Sequence, residues 1–441
     1  MLPVLRNLLV LLLLLLAGLT APSARSQTPR ERVDAVAAAI ERDYFDPARG
    51  RAIAGQLRRA AGDGEFDALS DPRDLAAELT RRLQPHDRHF RVDWRAPGGP
   101  AAGPVAGPVA GPVRRLRNGP AAGDAPRRTS AGIRRVELLP GNVGYLDLRQ
   151  FAPITFGDPE DPTRRAIDAA LQLLAASDAV IVDVRENGGG APSMVGYLVS
   201  AFTAPGADIY NTFHSRQGTR REAPEVAYPR PRVDVPLFVL TSGRTGSAAE
   251  AFAYTLKNAR RARIVGETTA GAANPGGPVQ AGDMTVFVST GSPVSPVTGT
   301  NWEGTGVLPD VEVPAARALQ HAHRMALDAV LQGAPGEPVA TEARWTLEAL
   351  RAVEQPPADV PLAAYAGRYG EAEVRVVDGA LELRRGRRPP STWTPVARDV
   401  FAQTGEPARR LEFVRDGAGA VAALELRLAD APPLRLRRAA D

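Results

Sequence analysis

Residues 240–250 read L-T-S-G-R-T-G-S-A-A-E, an apolar run that leads into Ser247 at the start of a helix-prone stretch. The preceding residues 236–240 are short, apolar and β-prone, and 248–258 are mostly strong helix formers, so Ser247 falls at a strand-to-helix junction. Free N–H groups at a helix N-terminus favour developing negative charge, which suits a nucleophilic oxygen. Ser247 and Glu250 also spell S-x-x-E, a capping box that satisfies helix donors without any chemistry. Residues 183–190, D-V-R-E-N-G-G-G, follow the apolar run 179–182 and precede a helical stretch. Consecutive glycines let the backbone approach a ligand and offer N–H groups for an oxyanion hole or anion nest; they also serve where a tight turn simply needs positive φ. Neither G-x-x-x-x-G-K-[ST] nor G-x-G-x-x-G is present, which argues against a phosphate site.

A nucleophilic serine needs a base, and this chain offers few. Its one lysine, Lys257, is ten residues beyond Ser247 in the same expected helix, about 15 Å along the axis, which disfavours a Ser-Lys dyad. Of the five histidines, His321 and His323 fall in a helical stretch after the α/β region and His214 on a polar strand, and all three read as surface residues. His86 and His89 stand in Q-P-H-D-R-H-F, where helical periodicity gives way to an extended segment. Such a boundary can lean over a neighbouring cleft, or leave both rings solvated in a loop. Their spacing could serve a metal, but no third ligand is suitably placed, so neither metal nor cofactor is expected.

The elements that must position these residues follow from periodicity. An N-terminal basic residue, an apolar run over 8–16 and a small-residue A-x-S ending indicate a signal peptide over 1–26 and export to a periplasm or the medium. Residues 27–95 carry helical periodicity and form a small bundle. Residues 96–131 contain A-G-P-V three times and read as a linker. From 132 to 335 short apolar strands alternate with helical stretches, which indicates an α/β domain. A helical connector (336–356) leads into a β-rich module (357–441). There is no cysteine, and basic residues exceed acidic ones by only four, with scattered arginines, so neither disulfides nor a nucleic-acid partner is expected.

Four ordered motifs carry a family resemblance. They are T-S-x-x-T leading to S-A-A-E (247–250), D-V-R-x-N-G-G-G (183–190), G-E-T-T-A-G (266–271) and N-W-E-G-T-G-V-L-P-D (301–310). Over about residues 29–313 the chain resembles the C-terminal processing peptidase family S41, most closely its tricorn-core and interphotoreceptor-retinoid-binding-protein-like branch. The resemblance implies a crotonase-like or ClpP-like core, with Ser247 as nucleophile and the N–H groups of Gly189 and Ala248 as oxyanion hole. It implies His89 as general base and Glu303 as the glutamate that organises the site, with His86 a reserve base and Asp87 and Glu267 reserve partners. Where the Ser-Lys branch has a lysine this chain has Thr268, and Arg88 stands where the tricorn core has a serine before the histidine.

The implied reaction is hydrolysis of a polypeptide through an acyl-enzyme. Many family members capture substrate tails with a PDZ domain; the A-G-P-V stretch cannot supply such a core, so tail capture is not expected. Two other readings stay open: a non-catalytic binder of an apolar ligand or peptide on the same scaffold, and an acyl-thioester hydrolase or isomerase using the same hole. The C-terminal module resembles small β domains appended to bacterial serine hydrolases, a barrel or curled sheet that serves packing or ligand binding. The oligomeric state is not readable from these residues.

Overall fold

A computed structural model describes residues 27–94, 130–358 and 360–439. The expected signal peptide and the A-G-P-V repeats lie outside the described residues. The chain divides into two units: residues 27–94, 215–217 and 275–291 form one, and the remaining described residues form the other.

In the first unit three helices, Pro29–Asp43, Pro47–Gly62 and Pro72–Leu83, each begin with proline behind a capping side chain. Proline at this position wastes no hydrogen bond, and Thr28, Asp46 and Asp71 accept from the helix N–H groups that would otherwise be orphaned. Val33, Val36 and Ile40 face Ile53, Leu57, Leu75 and Leu79 in one core. The sequence places residues 276–289 in the α/β region, yet they pack here. Strand Met284–Ser289 pairs antiparallel with Gly276–Ala281 on one side and Arg91–Trp94 on the other. Its alternate residues Met284, Val286 and Val288 close the helical core. Three helices expose an apolar face that the adjoining Phe90 and Val92 cover only in part, and this distant hairpin completes its burial.

The second unit is built on a six-stranded sheet in the order Val311–Glu312, Arg263–Gly266, Leu237–Thr241, Ala179–Asp183, Val143–Leu148, Ile133–Leu139. All neighbours are parallel except the antiparallel edge strand Ile133–Leu139. The central strands are buried on both faces, hence their continuous apolar runs. Val180, Val182 and Val239 pack with Ile167, Leu198 and Phe252 of helices Pro162–Leu173, Pro192–Ser200 and Ala248–Asn258. Ile181, Phe238 and Leu240 pack with Ala318, Ala322 and Ala326 of helix Ala315–Gln332. The functional turns therefore lie where a doubly covered parallel sheet puts ligands, at the carboxyl ends of its strands.

Helix Glu337–Glu354 leads to eight consecutive antiparallel strands between Gly367 and Arg437. The sheet curls into a near-barrel whose first and last strands meet at a Tyr369–Arg438 bridge. Arg410 fastens it to that helix, its guanidinium 4.8 Å from the Trp345 ring centroid and 2.5 Å from the Glu348 carboxylate.

Candidate active site

Ser247 caps helix Ala248–Asn258 with φ 52° and ψ −119°, outside the β-region of an ordinary N-cap. Only the glutamate half of the capping box is formed, the Ser247 N–H donating to Glu250 Oε2 at 2.8 Å, while the Ser247 side chain makes no cap hydrogen bond. A cap alone does not need positive φ, and a serine held there costs of order 1–3 kcal/mol. The hydroxyl residues of the T-S-x-x-T lead impose this turn. Ser242 N–H donates to Thr245 Oγ1 at 3.0 Å, Thr245 Oγ1 to the Val184 carbonyl at 2.8 Å, and Ser242 Oγ to the Arg185 carbonyl. The turn is thus pinned to the end of the neighbouring strand Ala179–Asp183, and Ser247 itself is exposed while Gly246 and Ala248 are buried.

The glycine turn lies directly against this serine. Gly189 has φ +117°, and a Cβ there would stand 2.8 Å from Ser247 Cβ and 3.1 Å from the Ala248 nitrogen. Gly190, with φ +141°, meets Phe151 in the same way on its other side. Buried Asn187 anchors the turn: its Nδ2 donates to the Leu148 carbonyl at 2.9 Å, its carbonyl accepts from Gly246 N–H at 3.0 Å, and its Oδ1 accepts from Gly189 N–H at 2.9 Å. The Gly189 N–H is therefore already engaged by a side chain.

Beneath the serine, the fully buried Glu250 carboxylate also accepts from Thr269 Oγ1 (2.5 Å), Gly271 N–H (2.6 Å) and Ala272 N–H (2.9 Å). Burial pushes its carboxyl above the ordinary range, against hydrogen bonds that favour the charged form. The same loop is also held by Glu303, whose Oε2 accepts from Ala273 and Asn274 N–H at 2.9 and 3.0 Å. Glu267 instead accepts from Ala315 N–H at 2.9 Å, at the start of helix Ala315–Gln332. Lys257 is ion-paired to Asp310 at 3.1 Å.

In the other unit His89 is buried, with Nδ1 3.1 Å from Asp87 Oδ1, and its backbone N–H donates to the same oxygen at 2.9 Å. A carboxylate only accepts, so Nδ1 carries the proton and the neutral ring has its lone pair on Nε2. Tyr44 Oη donates to Asp87 Oδ2 at 3.3 Å, and the Phe287 ring stacks on His89 with centroids 6.0 Å apart. Burial pushes the Asp87 carboxyl up, but the hydrogen bonds from His89 hold it below the usual carboxylate range. Arg88 is exposed and His86 half-buried. The partner of the His89 ring is thus Asp87, two residues before it, a D-x-H pattern visible in the chain. Of the histidines read as surface residues, His214 is exposed, but His323 is buried, with Nε2 2.8 Å from the Pro140 carbonyl. Its ring fills a place between helix and turn that a polar helix position does not announce.

Residues 142–313 match the family model of Peptidase family S41. A carboxy-terminal-processing protease of Bartonella bacilliformis is 27% identical over 39% of this chain and 39% of its own length. A carboxyl-terminal-processing protease of Synechocystis sp. is 33% identical over 30% of this chain and 28% of its own length. Among solved structures, a photosystem II D1 C-terminal processing protease is 26% identical, with TM-score 0.31 over 39% of this chain and 42% of that one. The chain spans well under half the length of the curated relatives it matches. Residues 142–313 of the chain are thus similar to peptidase family S41.

Proposed function

We propose that the protein is an exported serine peptidase that hydrolyses unfolded or peptide substrates through an acyl-enzyme, on a crotonase-like or ClpP-like core. The observation that carries this reading is an exposed serine held at φ 52° on a strand-to-helix turn, with a glycine backbone against its Cβ. A strained strand-to-helix turn of this kind supports a nucleophilic role for the serine, because an ordinary cap does not require positive φ. Both relatives are processing proteases, which points to a polypeptide as substrate.

In this reading Ser247 Oγ attacks the scissile carbonyl carbon and its proton passes to Nε2 of His89, which Asp87 holds in the right tautomer. The Ala248 N–H and the Gly189 N–H, the latter shared with Asn187 Oδ1, hold the developing oxyanion. His89 returns the proton to the leaving amine, and water releases the acyl group by the same route. Glu303 is assigned to organising the 271–274 loop beside Glu250.

Casein degradation by the purified chain tests this, with Ser247→Ala, His89→Ala and added chelator in parallel. Cleavage that survives the chelator and vanishes in both variants is the expected result. No cleavage by the unaltered chain, with Ser247 inert to a fluorophosphonate, favours a non-catalytic binder on the same scaffold.

A further inference from the structure

The C-terminal near-barrel is filled at one end and open at the other. Its inward face is set by register. Leu381 and Leu383, Trp393, Phe401, Leu411 and Leu424 share one core, so alternate residues further along the same strands point inward as well. At the closed end Tyr365, Tyr369, Phe401 and Phe413 fill the interior, with ring centroids 4.6 Å apart for Tyr365 and Phe413 and 5.6 Å for Phe401 and Phe413. At the other end a cavity of about 690 Å³ is lined by Leu383, Trp393, Leu426 and Leu434, together with Arg385 and Arg409.

The cavity carries two chemistries in order of depth. Leu383 and Trp393 are nearly fully buried at its base. Arg385 lies two residues beyond Leu383, and Arg409 two before Leu411, so both belong to the inward face at the mouth. Arg388 and Arg427 also line the cavity, and no acidic side chain does. Arg385 and Arg409 pair with Glu371 and Glu406, at 2.5 and 2.6 Å, from outside that lining. Exposed pairs of this kind are weak and exchange easily for another carboxylate. An eight-stranded barrel has room for its own side chains or for one small ligand, and here only one end is filled by side chains.

We propose that this barrel is a second, non-catalytic site that binds a single-tailed amphipathic carboxylate, its aliphatic tail against Trp393, Leu383 and Leu426 and its head group between Arg385 and Arg409. The arginine forks match a carboxylate, and the apolar base excludes a wholly polar anion. The proposal does not rest on the peptidase reading.

Sodium laurate, kept below its micelle concentration, is titrated calorimetrically into the purified full chain, with dodecanol as the uncharged control. One saturable equivalent of laurate is expected. The double variant Arg385→Gln/Arg409→Gln weakens laurate about tenfold or more, as loss of charge-assisted bonds should, and leaves dodecanol unchanged. Leu426→Trp, which fills the cavity, removes both ligands, and Ser247→Ala binds like the unaltered chain. Circular dichroism confirms that each variant is folded. No saturable binding, laurate affinity untouched in the arginine variant, or binding lost in Ser247→Ala overturns the proposal.

Discussion

Asp87 Oδ1 accepts from both the backbone N–H and the ring Nδ1 of His89, at 2.9 and 3.1 Å, so one oxygen sets the loop and the tautomer together. Asp87→Asn keeps the shape but can present its N–H₂ to the ring, which reverses the tautomer. The expected outcome is a fall in kcat on the order of 10³–10⁴ with KM little changed, checked by steady-state kinetics on a peptide substrate.

The same pair predicts a pH dependence of stability. The folded Asp87 carboxyl is held below its ordinary value of 3.8. A depressed carboxylate contributes stability that is present above the unfolded value and lost as pH falls through the lower folded value. Urea midpoints measured from about pH 5 down to about pH 2 should show the unaltered chain losing part of its advantage over Asp87→Asn across that acid window.

Gly189→Ala places a Cβ 2.8 Å from Ser247 Cβ and 3.0 Å from the Gly246 carbonyl oxygen, with φ at +117°. Backbone, not a flexible side-chain end, must give way. We expect a loss of about 1–3 kcal/mol in stability and of more than about 10² in acylation rate, since the turn carrying Ser247 moves. Chemical denaturation and fluorophosphonate labelling kinetics measure the two effects.

Ser247→Gly should stabilise the protein while abolishing activity. The φ of 52° and ψ of −119° at Ser247 suit glycine, and relief of that strain is worth about 1 kcal/mol, or a rise in Tm of about 2–4 °C. Ser247→Ala, which keeps the strain, gives no such rise. Differential scanning calorimetry on the three proteins decides it.

Lys257→Met should leave kcat/KM unchanged. The amine is paired with Asp310 at 3.1 Å, and a half-exposed pair contributes no more than about 1 kcal/mol. A collapse of activity in this variant would restore a Ser-Lys mechanism.

Much of the placement of the candidate site residues was legible because its signals are local. The apolar run before Ser247 and the helix formers after it place the serine at a strand-to-helix turn, and the glycines at 188–190 mark a second turn of the same kind. The positive φ of Ser247 was not legible, because it goes with hydroxyl bonds from Ser242 and Thr245 to the carbonyls of Arg185 and Val184, just past the end of another strand. Asp87 stood only in reserve, since D-x-H is common and its meaning comes from burial beside Tyr44 and Phe90. The hairpin Gly276–Ala281 and Met284–Ser289 has ordinary strand alternation, and nothing in its own residues names the distant helices it covers. Alternation likewise marked the C-terminal strands, but not the Tyr369–Arg438 bridge, which joins the two ends of that module.

The most direct test of the central claim is active-site labelling. A fluorophosphonate is incubated with the unaltered chain and with His89→Ala and Asp87→Asn, and the modified residue is located by peptide mass spectrometry. The account predicts one label per chain, on Ser247, formed at least about 10² faster in the unaltered chain than in either variant. A label elsewhere, or labelling of Ser247 at equal rates in all three, would contradict it.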